Sequence, residues 1–76
     1  MELHLGGYLS WYLPQQPGQL LIHLDQPISL LALVERLKLP PAEIAIAAIN
    51  GTLVCLADAV VSGGDLVELH PPNGGG

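Results

Sequence analysis

The residues able to do chemistry fall into three groups: one thiol, three imidazoles and a terminal run of glycines. Cys55 sits between Val54 and Leu56 in a segment that reads as a strand. An isolated thiol in that setting behaves as a small core hydrophobe rather than a nucleophile. As the sole cysteine it forms no internal disulfide. His4, His23 and His70 fall on the polar phase of their strand patterns, which predicts cross-strand neighbours on the face away from the core. Nothing in their spacing fixes a tetrahedral site, so the expectation is a solvated or partner-contacting face and no metal. Asp65, at the end of Ser62-Gly63-Gly64-Asp65, reads as a turn residue whose carboxylate bonds nearby backbone. Trp11 and Tyr12 either close one end of the core or meet a partner, and the pattern leaves both open.

The last six residues are Pro71-Pro72-Asn73-Gly74-Gly75-Gly76. Lacking Cβ, Gly74 and Gly75 let a chain thread a narrow channel in backbone conformations barred to other residues. Pro71 and Pro72 remove two backbone donors and hold the root of the tail extended. Four extended residues beyond Pro72 reach about 13–14 Å, enough to pass from a domain surface into another protein's active site.

These groups need a scaffold, and a chain of 76 residues supplies only one. At this size folding buries about 60% of the unfolded surface, too little for two cores. The expected division is one domain over 1–72 and a flexible glycine tail over 73–76. Half the residues are apolar and none is Phe, so the core is aliphatic. Seven acidic residues against Arg36 and Lys38 give a net charge of -5. That charge repels nucleic acid and anionic membrane surfaces and favours a basic or mixed protein partner. No apolar stretch approaches the ~20 residues of a membrane span, and Glu2 stands where a secretory leader is basic. The expected location is the cytoplasm.

Residues 2–5 alternate polar and apolar as a half-buried strand, and 19–24 repeats the pattern less cleanly. Turn formers over 14–18 join them as a long hairpin. Leu30, Leu33, Val34 and Leu37 share one helical face, Ser29 is the N-cap, Ile28 and Leu33 form a staple, and Pro40-Pro41 stops the helix. The run 44–49 is a strand, Asn50-Gly51 a tight turn, 53–56 the returning strand, and 66–70 the last. Alternation also brings Leu21, Leu56 and Leu66 onto or near the open face. Hairpin, helix, hairpin and final strand make an α+β roll: a mixed sheet of four to five strands with one main helix on one face, of the ubiquitin-like β-grasp kind.

Three stretches give this outline a family likeness: Ala48-Ile49-Asn50-Gly51, Val61-Ser62-Gly63-Gly64-Asp65-Leu66-Val67-Glu68, and the terminal segment from Pro71. The second half of the chain resembles the ubiquitin-like sulfur carriers, namely the molybdopterin synthase small subunit and the thiamine-pathway carrier. The resemblance implies a carrier rather than an enzyme. Its Gly76 carboxylate would be adenylated by a ubiquitin-activating-type adenylyltransferase and converted to a thiocarboxylate. No cofactor would be bound, and ATP would be consumed by the partner. A free carboxylate, with a pKa of about 3.5, is a poor electrophile, and joining it to AMP supplies the leaving group. Sulfur would pass to a molybdopterin synthase large subunit or a thiazole synthase, with Pro71-Pro72 pointing to the former. The face carrying His4, His23, His70 and Leu66 would meet the partner. The alternatives are a carrier for thiamine thiazole or another thiolation pathway, and a ubiquitin-like interaction module or protein modifier without sulfur chemistry.

Overall fold

The computed structural model describes residues 1–13 and 18–72. Most of the expected 14–18 turn, and the whole 73–76 tail, lie outside the described residues. Among those described, β1 (Glu2–Leu5), β2 (Gln19–Leu21), β4 (Ile46–Ile49), β5 (Thr52–Val54) and β7 (Leu66–His70) form one mixed sheet, and β3 (Ile28–Ser29) pairs with β6 (Val60–Val61) as a small second one. The strand order of the large sheet is β2-β1-β7-β4-β5. β7 is therefore central, parallel to β1 and antiparallel to β4.

The one α-helix among the described residues, α1 (Leu30–Arg36), is seven residues long, about 10 Å, and too short to persist alone in water. Burial holds it. Leu30, Leu33 and Val34 are buried against Leu3 and Leu5 of β1, Val67 and Leu69 of β7 and Ala47 of β4, with Leu9, Leu39 and Val61 completing the cluster. Each fully buried Leu contributes about 1.5–3 kcal/mol over its exposed state. Ser29 Oγ accepts from the Ala32 amide at 2.9 Å, the cap expected from the sequence. The helix ends in a Schellman arrangement before the prolines are reached: Leu39 N donates to Val34 O at 3.1 Å and Lys38 N to Glu35 O at 3.0 Å, with Lys38 at φ 63. Asn50 and Gly51 both take positive φ, 51 and 83, as a two-residue hairpin turn requires.

This five-stranded sheet under one helix is the β-grasp arrangement, with local departures from expectation. A 3₁₀ turn, Gly7–Tyr12, follows β1 where a plain hairpin link was expected. A second 3₁₀ turn, Pro41–Glu43, shortens the next strand at its start. The strand expected over 19–24 ends at Leu21. Cys55 is exposed, not part of the core, because β5 stops at Val54. Cys55 O accepts from Asp58 N at 3.1 Å and Ala59 N at 3.0 Å, so the backbone turns there and the strand alternation lapses. The same turn puts Leu56 half-buried against the core instead of on the open face.

Candidate functional site: the tail root and the open sheet face

The tail leaves the domain from its central strand. Leu69 O accepts from Gly6 N at 2.8 Å and His70 O from Ala45 N at 2.9 Å, so β7 is gripped on both sides up to the residue before Pro71. Pro71 is fully buried and Pro72 exposed. Chain leaving Pro72 therefore starts from a point fixed to the core. Gly74, Gly75 and Gly76 lie outside the described residues.

The sheet face away from α1 carries three cross-strand rows. One runs Leu21, Glu2, Leu66. The next runs Gln19, His4, Glu68, Ala48, Leu53 across all five strands. The third sets His70 beside Ile46, at the tail end. Leu21 is 80% exposed, Leu53 74% and Ile46 47%, while Leu66 is half-buried. The rows hold Glu2 and Glu68 but no Lys or Arg, so the face is apolar, acidic and imidazole-bearing.

His4 and His70 share this face, but His23 does not join them. β2 ends before His23, and Glu2 pairs with Leu21, so His23 lies past the Met1 end of β1, whereas His70 sits at the Gly6 end. His23 Nε2 instead meets Asp25 Oδ1 at 2.7 Å, with both side chains in solvent. His4 Nε2 lies 2.6 Å from Glu2 Oε2. Among the described residues no group of three or more His, Cys, Asp or Glu is placed to hold a metal ion. None of their helices is long and apolar enough to cross a membrane.

Asn50 and Asp65 turn out to be joined. Asn50 Nδ2 donates to Asp65 Oδ1 at 3.0 Å, Leu66 N donates to Asn50 Oδ1 at 2.9 Å, and Ser62 N donates to Asp65 Oδ2 at 2.8 Å. The Ser62 amide first, then the Asn50 amide, hold the Asp65 carboxyl below the usual carboxylate range. The clamp fixes the start of β7, the strand that ends in the tail, and lies at the far end of it. Asp65 is thus a structural carboxylate.

A model of the ThiS family matches residues 10–76, nearly the whole chain and through its last glycine. The chain belongs to the ThiS family of ubiquitin-like sulfur carriers. ThiS-family proteins are small carriers rather than enzymes, and they act with an adenylyltransferase and a synthase partner. A search of curated proteins found no match. The face residues that sequence reasoning missed are Glu2, Gln19, Glu68, Ile46, Ala48 and Leu53. For Ala48 and Leu53 the signal was present in the register of the Asn50-Gly51 hairpin, which sets them opposite one another.

Proposed function

We propose that this chain carries sulfur on the carboxyl group of Gly76, in molybdopterin synthesis. In the first step a carboxylate oxygen attacks the α-phosphorus of ATP on an adenylyltransferase and pyrophosphate leaves. A hydrosulfide-equivalent sulfur then attacks the carbonyl carbon, and AMP leaves with the electrons of the broken C–O bond. The thiocarboxylate so formed is the sulfur donor. Gly76 reacts, Gly74 and Gly75 thread the partner's channel, and the domain over 1–72 selects the partner.

The observation that supports this most is the family match running through Gly76, on a tail whose root, Pro71, is buried at the end of the central strand. A fixed root with glycine beyond it keeps a terminal carboxylate within a bounded reach of the domain. The face around Glu2, His4, Glu68, His70, Leu53 and Leu66 suits a partner surface that is part apolar and part basic. Pro71-Pro72 favours a molybdopterin synthase large subunit as acceptor. Asn73 and the scarcity of basic residues count against that acceptor, and delivery to a thiazole synthase is the second reading.

ATP–pyrophosphate exchange with the cognate adenylyltransferase tests the carboxylate role. The chain ending at Gly76 supports exchange, and a chain extended by one alanine does not. Equal exchange by both would contradict it. Offering the thiocarboxylate form to each synthase separates the two pathways by which one turns over.

A further inference from the structure

Trp11 is the only tryptophan in the chain and is 78% exposed, with Tyr12 beside it 42% exposed. Both stand on the Gly7–Tyr12 turn, which packs against β1 and β7. The turn has a firm base. Leu9 is fully buried, and Tyr8 packs on the core and donates to Glu43 Oε1 at 3.2 Å. The Tyr8 and Trp11 rings lie 6.2 Å apart between centroids, tilted by 48°. Among the described residues no cation stacks on either ring. An aromatic side chain held this way loses little conformational freedom when it is covered, which is what favours Trp and Tyr as anchors in interfaces.

Position decides what covers it. The turn begins one residue after Gly6, which bonds to Leu69, so it stands at the end of β7 where Pro71 begins. The chain beyond Pro72 is four residues, about 13–14 Å when extended. An active site that takes up Gly76 brings its rim within that distance of Pro72, on the end of the domain that carries the turn. The chain carries a net charge of -5, which favours a basic rim. A guanidinium or ammonium group over an indole face gains from the ring quadrupole, most of all when water is excluded.

We propose that Trp11, with Tyr12, is a docking contact for the rim of the adenylyltransferase channel that receives the tail, and that an arginine or lysine of that rim stacks on the indole. The contact rests on the sulfur-carrier reading. It adds a second point of recognition beside the open sheet face, at the place where the tail enters.

A chain labelled with 5-fluorotryptophan gives a single ¹⁹F resonance, because Trp11 is the only site. Titration with the cognate adenylyltransferase and ATP shifts or broadens it. In the adenylation assay Trp11→Ser raises KM for the carrier roughly tenfold and leaves kcat unchanged, and Trp11→Phe recovers most of the loss. An unmoved resonance with unchanged KM in Trp11→Ser, while the unsubstituted chain is adenylated, overturns the contact and leaves the carrier reading standing. Failure of the unsubstituted chain to be adenylated overturns the carrier reading, and the contact with it.

Discussion

A Cβ placed on Gly6 would run into Nδ1 of His70, so the imidazole occupies the space that any other residue at position 6 would need. Gly6 has φ -86 and ψ 162, extended backbone open to any residue, so the demand for glycine is steric rather than conformational. Gly6→Ala must displace the ring that precedes the tail root. Overpacking of this kind costs about 1–3 kcal/mol, and ring movement brings the expected loss near 1 kcal/mol in urea unfolding. The His70 ring resonances should move as well. Unchanged stability and unchanged resonances would show that the ring has room elsewhere.

The Asn50–Asp65 clamp gives a pH dependence with a definite sign. The native Asp65 carboxyl is held low, by the Ser62 amide before the Asn50 amide. Its contribution to stability is therefore present above the usual carboxylate pKa of about 3.9 and is lost as pH falls through the lower native value. Unfolding midpoints of the unsubstituted chain and Asp65→Asn should differ most at neutral pH and converge in acid. A constant difference from pH 7 to pH 3 would remove Asp65 as the cause.

How much of this was legible depends on the range over which each signal acts. The strand 2–5, the Ser29 cap, the Leu30/Leu33/Val34 stripe and the Asn50-Gly51 turn rest on local stereochemistry, and all are where the residues put them. The two-residue strands β3 and β6 have no period to read, since pairing of Ile28 with Val61 joins residues far apart in sequence. Alternation alone misplaces Cys55 and Leu56, because backbone bonds to Cys55 O turn the chain there. Phase alone puts His23 on the open face, and β2 ends at Leu21, too early for phase to apply. The tail's glycines were legible as residues; the burial of Pro71 that roots them was not, because it arises from tertiary packing.

Lys38 holds φ 63 at the position after α1 that glycine usually fills. A side chain in that conformation costs about 1 kcal/mol relative to glycine. Lys38→Gly should raise stability by roughly that amount in urea titration, with the Leu39–Val34 bond intact. A loss of stability would mean that the lysine side chain makes a compensating contact.

Leu53 is exposed on the open face and contributes little to the core, so Leu53→Ser should leave unfolding within about 0.5 kcal/mol of the unsubstituted chain. If the face docks the partner, the same change weakens binding to the adenylyltransferase roughly tenfold, as read by calorimetric titration. Unaltered affinity would move docking off this face.

The central claim concerns one atom, an oxygen of the Gly76 carboxyl group. The purified chain is incubated with ATP, its cognate adenylyltransferase and a sulfur donor, and intact mass and C-terminal peptide mass are then measured. The account requires a gain equal to one oxygen replaced by sulfur, located at Gly76 and dependent on ATP. A chain of unchanged mass, or one recovered joined to lysines of other proteins with no sulfur gained, would contradict it.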